Sequence, residues 1–338
     1  MSSMNLRPGR SLAVVGTIAL LIFPGVSVAQ STPVAAPEAN LGAANVEFYV
    51  DPNSNAHAQA AEWRETRPED ADAIMKIAGH AQADWFGDWT ADPRTEIGDR
   101  VTQVVEAGAL PVMVVYNIPY RDCGLYSAGG ANDPEVYRTW IEAAAEGIGD
   151  RPAVVVLEPD ALASTDCLSP EQTTERYELL GFAVDTLEAQ PAIDVYIDAG
   201  NASWHPPEEA ARRLDLAGIG RATGFALNVS NYYTTGDSTD YGLAISDAIG
   251  ADGGTRFVID TSRNGNGAWE SDDPEAWCNP PGRALGEPPT VETADPLVDA
   301  WLWIKRPGES DGECRGAPAA GVWYPEYALE LAQNAAWD

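Results

Sequence analysis

Five short apolar segments of this chain each run directly into a carboxylate. Val114-Val115-Tyr116-Asn117 leads to Arg121-Asp122-Cys123, and Val155-Val156-Leu157 leads to Glu158-Pro159-Asp160. Val195-Tyr196-Ile197 ends on Asp198, Phe257-Val258-Ile259 on Asp260, and Trp303-Ile304-Lys305 precedes Glu309-Ser310-Asp311. Such a set, with only three histidines (His57, His80 and His205, not at ligand spacing), suits two chemistries. Glycoside hydrolysis needs a protonated acid and an ionised base around an oxocarbenium-like transition state. Metal-dependent phosphoryl chemistry uses the same acids as ligands. The 11 tryptophans favour sugar. Trp85, Trp204 and Trp277 lie in loop-like or Pro/Gly-bordered stretches, where an indole face can stack on a pyranose ring. For any one of them packing is an equal explanation, and Trp140 and Trp303 read as core. Few Lys or Arg lie near the acids, which argues against a phosphorylated substrate.

The elements that must position these acids are legible from periodicity. Apolar runs cover Val46–Val50, Asp84–Gly87, Leu110–Asn117, Ala153–Glu158, Asp194–Asp198, Gly224–Asn228, Arg256–Asp260 and Trp301–Ile304. They are continuous, as expected of strands buried on both faces. Helices fall between them. Ser169-Pro170-Glu171-Gln172 is a capping-box start toward Leu187, Asp133-Pro134 starts a helix with Tyr137, Trp140, Ile141 and Ala144 inward, and Asp99 to Ala109 forms a third. Strand–helix alternation predicts a parallel sheet, and seven or eight units favour a closed or nearly closed α/β barrel. The active-site face of such a barrel is the C-terminal end of the strands, where the five acidic segments fall.

Residues 1–29 read as an export signal: Arg7 and Arg10, an apolar run from Leu12 to Val28 broken by Pro24, then Ser27-Val28-Ala29. Residues 30–44 read as a Pro/Ala-rich tether with little to pack, and 45–338 as one catalytic domain. The expectation is a secreted monomer with no membrane attachment after cleavage. Removing the signal leaves 18 basic against 52 acidic side chains, a charge of −34. That charge argues against nucleic acid and anionic membranes as partners. Cys123, Cys167, Cys278 and Cys314 allow three pairings; export favours disulfides, and none is spaced for zinc. Sequential pairing would close loops of about forty residues, each stabilising by about 4 kcal/mol. Asp51-Pro-Asn53-Ser-Asn55-Ala56 nearly fits a calcium loop, but Ala56 replaces the required glycine and a strand precedes it, so it reads as a strand-to-helix turn lining the cleft.

At these motifs the chain resembles glycoside hydrolase family 6, the cellulases comprising endoglucanases and cellobiohydrolases. The resemblance rests on Val114 through Gly124, continuing to Gly130, and on Val154 through Ala163 around Glu158-Pro159-Asp160. Asp198-Ala199-Gly200, Asn228 through Tyr232, Asp260 through Gly267, Trp277 through Pro280 and Trp303 through Gly312 support it. It implies a distorted TIM-like barrel of about seven strands, inversion at the cleaved carbon, no cofactor or metal, and sequential disulfides. It implies a β-glucan polysaccharide or cello-oligosaccharide as partner. It makes Asp160 the general acid, Asp122 the neighbour that raises its pKa, Asp311 the candidate base, Ser230 a holder of the water and Tyr116 the residue crowding the distorted sugar. Trp204, Asn231, Trp277, Lys305 and Glu309 become sugar-binding positions, with Asn53 and Asn55; Asp198 reads as supporting or binding, and for Asp260 a structural role in ordering the Arg263 loop is favoured over direct chemistry. Asn201 stands where the family commonly has a histidine, and Asn53 where fungal members have a tryptophan. No large insertion occurs between Gly267 and Trp301, so an open cleft and internal cutting are expected. The alternatives are an exo-acting cellobiohydrolase, a metal-dependent phosphoesterase on the same acid ring, and a non-catalytic sugar-binding protein.

Overall fold

Valine-rich segments with both faces covered make the sheet. A computed structural model of the chain describes residues 40–42 and 46–337; residues 1–29 and most of the tether lie outside them. The strands are β1 (Asp84–Gly87), β2 (Val112–Tyr116), β3 (Ala153–Leu157), β4 (Ile193–Asp198), β5 (Gly224–Leu227), β6 (Arg256–Asp260) and β7 (Val298–Leu302). They pair in parallel in the order of the chain. Helices α1 (Asn55–Trp63) and α2 (Pro68–Ala78) precede β1, and α3 (Pro93–Glu106), α4 (Pro134–Ile148), α5 (Pro170–Glu188), α6 (Pro207–Ala217) and α7 (Thr235–Ile249) separate β1 to β6. The last, α8 (Pro325–Asn334), follows β7. Proline opens six of these helices, where its missing N–H costs no hydrogen bond. The Ser169–Gln172 capping box forms in full, and the Asp133 carboxylate caps α4 by accepting from the Glu135 and Val136 N–H groups.

Alternation within each strand divides the core. Val114, Val154, Val156, Tyr196, Ala226, Val258, Ala300 and Leu302 fill the barrel interior. Met113, Val115, Val155, Leu157, Ile197, Phe225 and Phe257 pack outward under the helices. This is the period of two expected of parallel strands in a barrel. The sheet is curled but not laddered shut. Across the seam the Ala83 N–H donates to the Trp303 carbonyl at 3.0 Å and the Trp85 indole N–H to the Ile304 carbonyl at 2.8 Å. The Asp84 carboxylate adds ion pairs to Arg100 at 2.6 Å and Arg306 at 3.1 Å.

Four expectations change. Val46–Val50 is no strand: β1 takes the β2 edge from Met113 onward, which leaves Phe48 a single bridge to Leu110. The last strand lies at 298–302 rather than 301–304, because the Ile304 and Lys305 N–H groups turn to the Asp260 carboxylate at 3.3 and 2.9 Å. The helix expected from Asp99 starts at Pro93, capped by Asp92. The tether is not wholly free of packing, since Asn40–Gly42 forms a 3-10 turn whose Leu41 is buried with the interior cluster. The cysteines pair sequentially, Cys123–Cys167 and Cys278–Cys314, across 44 and 36 residues. Both bridges tie down loops at the C-terminal rim.

Candidate active site

The loops that follow the strands carry unusual backbone. Tyr120, Asp122 and Cys123 after β2, Glu158 and Asp160 after β3, and Asn228 and Ser230 after β5 all have φ between 49° and 68°. Non-glycine residues pay for this conformation, and it survives only where surroundings over-determine it. Here they do. The buried Glu158 carboxylate accepts from the Asn117 N–H at 2.9 Å and the Ile118 N–H at 3.0 Å. Buried Arg176 donates to the carbonyls of Ala161 at 2.9 Å and Pro119 at 2.7 Å. Together they lock the β2 loop, which holds Asp122, to the β3 loop, which holds Asp160. Burial pushes the Glu158 pKa up to about 7, against the pull of those two N–H donors.

Asp160 lies among other carboxylates. Its N–H donates to Asp198 Oδ2 at 2.8 Å. Burial raises its pKa well above the usual range, and the charges of Asp198, Asp122 and Asp311 raise it further, in that order; Lys305 opposes them. Asp198 is itself raised to about 7 by burial, against the N–H donors of Asp160 and Gly200. Burial also raises Asp122, whose Oδ2 accepts the Ser127 N–H at 2.6 Å. A carboxylic acid kept neutral near neutral pH can donate a proton to a leaving oxygen. A general acid works only while protonated, so activity falls as pH rises through its pKa. With Asp160 in the role of general acid, replacing Asp198 with Asn, which removes the largest neighbouring charge, is expected to lower the Asp160 pKa and move the alkaline limb of the kcat/KM profile to lower pH. Asp122→Asn is expected to move it less. A limb that stays put or moves upward in both variants would refute this coupling.

Asp311 is bound differently. Arg263 Nη1 donates to its Oδ1 at 2.8 Å and its Oδ2 at 2.9 Å. Oδ2 also accepts from the Tyr232 hydroxyl at 2.9 Å and the Asn279 N–H at 3.0 Å. Lys305 Nζ lies 3.8 Å from Oδ1. Arg263 donates as well to the Ser230 carbonyl, so Ser230, Arg263 and Asp311 form one chain. Asp260 spends its carboxylate on the N–H groups of Ser230, Ser262, Ile304 and Lys305. It ties together the loops after β5, β6 and β7.

A cavity of about 460 Å³ is lined by Trp85, Tyr116, Lys305 and Glu309, and also by Trp89 and Tyr126, which sequence reading passed over. Tyr116 is almost buried, with the Arg121 guanidinium 4.6 Å from its ring centre and Trp85 edge-on at 5.4 Å. Burial raises its pKa well above the usual tyrosine value, with Asp160 and Asp122 contributing. Burial lowers the Lys305 pKa against the pull of Asp311. Asn53 and Asn55 line a second cavity of about 150 Å³ that shares Arg306 and Glu309 with the first. Trp204 lies beyond β4, against Gly200 and stacked at 6.4 Å on His205. Asn201 is buried there and caps a local turn by accepting the Ser203 N–H at 3.1 Å. Asn231 donates within its own turn, to the Val229 carbonyl at 3.2 Å. Trp277 sits at the rim 6.1 Å from Tyr126, whose hydroxyl donates to Glu275 at 2.7 Å. That contact joins the β2 loop to the loop before β7, and loop length alone does not reveal it.

Fold and site define a curled parallel α/β barrel with an acid-lined rim. The family model described as "Glycosyl hydrolases family 6" matches residues 43–335. The chain belongs to that family. It is 45% identical over 292 residues to Endoglucanase A of Cellulomonas fimi, covering 86% of this chain but only 62% of that protein. It is 42% identical to Endoglucanase 1 of Streptomyces halstedii over 84% of this chain and 88% of that one. The solved endoglucanase Cel6 from Mycobacterium tuberculosis, in complex with methyl-cellobiosyl-4-deoxy-4-thio-β-D-cellobioside, superposes with a TM-score of 0.82 at 47% identity, covering 88% of this chain and 99% of that one.

Proposed function

We propose that this protein is an inverting endo-β-1,4-glucanase acting on cellulose-type chains. The observation that carries the reading is the raised, carboxylate-flanked Asp160 at the end of β3, beside the Arg263-bound Asp311. In this reading Asp160 protonates the leaving glycosidic oxygen, and Asp122 and Asp198 keep the proton on it until then. A water attacks the anomeric carbon from the opposite face. Its proton passes toward Asp311, whose Oδ1 takes one close hydrogen bond, from Arg263, and keeps a lone pair for water. Tyr116 bounds the sugar at the cut, and Lys305 and Glu309 hold its neighbour. The endoglucanase names of the relatives support internal cutting. The two disulfides and the sequence of residues 1–29 support export, and the reading has the chain act as a monomer.

The test is proton NMR of early products from cellotetraose, with EDTA present, beside viscometry of carboxymethyl-cellulose. New ends should appear as α-anomers, and viscosity should fall well ahead of reducing-end release. β-Anomers would refute inversion. Cellobiose as nearly the sole early product with little viscosity loss would establish exo action instead. Loss of activity in EDTA would point to the metal-dependent alternative.

A further inference from the structure

Trp89 is an exposed indole with no role in the chemistry above. It keeps 55% of its surface exposed while lining the cavity that holds Tyr116, Lys305 and Glu309. It is nevertheless held rigidly. The Gly87–Thr90 turn is closed by Thr90 N–H to the Gly87 carbonyl at 2.9 Å and Gly87 N–H to Thr90 Oγ1 at 3.2 Å. The ring lies directly on Gly87, where an added Cβ would meet its Cζ3 at 2.6 Å. Next in the chain, Asp88 pairs with Arg121 at 2.9 Å, and the Arg121 guanidinium stands 5.3 Å from the indole centre. Arg121 precedes Asp122, so the platform is tied to the reacting end of the cleft.

Trp89 lines the same cavity as Tyr116, Lys305 and Glu309. It follows β1, whereas Trp204 follows β4, and Asp160 follows β3 between them. The two indoles therefore belong to opposite arms of the cleft. The same cavity is lined by the small residues Ala128, Ala320 and Gly321. The geometry points to a distal sugar subsite on the β1 arm, in which the Trp89 face stacks on the apolar face of a glucosyl unit while Arg306 meets its hydroxyls. This rests on the β-glucanase reading and adds that the cleft grips more of the chain than the residues flanking the cut. Such a grip favours mid-chain attack over release of a fixed short product.

The test is the ratio of kcat/KM on cellohexaose to that on cellotetraose, together with the main cut site on hexaose ¹⁸O-labelled at its reducing end. Trp89→Ala is expected to lower that ratio about tenfold and to move the cut along the chain. Trp89→Phe, which keeps a stacking face, restores most of the ratio. An equal loss on both substrates, or an unchanged ratio and cut site, overturns the subsite. If Trp89→Ala fails to fold, an unaltered ratio and cut site in Trp89→Leu overturns the subsite equally. Failure of the unsubstituted enzyme to cut either oligosaccharide would refute the glucanase reading itself, a separate outcome.

Discussion

Asp160→Asn is expected to lower kcat/KM on cellotetraose by about 10²–10⁴-fold, the contribution of a positioned general acid. The loss depends on the leaving group. Cellotetraose expels a sugar hydroxyl that needs a proton as the bond breaks. A 2,4-dinitrophenyl cellobioside expels a stable phenolate that does not. The same substitution should therefore cost far less on the aryl substrate. The fold should survive, because the Asp160 backbone supplies the N–H that Asp198 accepts and the side-chain carboxyl is not a structural acceptor for any described residue. Equal losses on the two substrates would mean that Asp160 only binds sugar. Steady-state kinetics on both, with circular dichroism as a control for folding, decides between these.

Arg263→Ala is expected to destabilise the protein by about 3–5 kcal/mol, the loss seen when one partner of a buried ion pair is removed. Arg263 is fully buried, and its Nη1 donates to both oxygens of Asp311. Its guanidinium also lies 4.4 Å from the Tyr232 ring centre, and Asp311 leads the charges that raise its pKa. Without it, Asp311 keeps Tyr232 and Asn279 but loses its closest charge partner. The double variant Arg263→Ala/Asp311→Asn removes the orphaned charge, so it should be less destabilised than the two single losses combined. Guanidinium denaturation with the disulfides intact measures all three. A single-variant loss below about 1 kcal/mol, or full additivity, would contradict a buried pair of this kind. Activity should fall with stability in Arg263→Ala, because the Ser230 carbonyl and Asp311 lose the group that joins them.

Much of this site is visible in the linear chain. Parallel strands joined by helices bring every strand's C-terminal end to one rim, so an acid after each apolar run is enough to place Asp122, Asp160, Asp198, Asp260 and Asp311 on one face. Two helix starts are equally legible, since Ser169 with Gln172 and Asp133 with Pro134 carry their capping chemistry within four residues, whereas α3 starts at Pro93 and not at the expected Asp99. Roles within the acid ring were harder to read. Glu158 and Asp160 are two residues apart and chemically alike, yet Glu158 is consumed by N–H groups some forty positions earlier in the chain. Asp260 is consumed by donors from three loops. Trp85 and Trp89 show the same ambiguity. Trp85 spends its indole N–H on Ile304, 219 positions away, while Trp89 remains exposed on the cavity.

The amino-acid order by itself determined the parallel barrel, the rim on which the acids gather and the capped starts of α4 and α5, because these depend on burial pattern and on contacts a few residues long. Only the tertiary structure decided which carboxylates are desolvated among like charges, which serve as backbone clamps and which indole on the cavity wall is left without a hydrogen-bond partner among the described residues. Those properties depend on desolvation and on donors supplied by distant loops, and neither is encoded in local spacing.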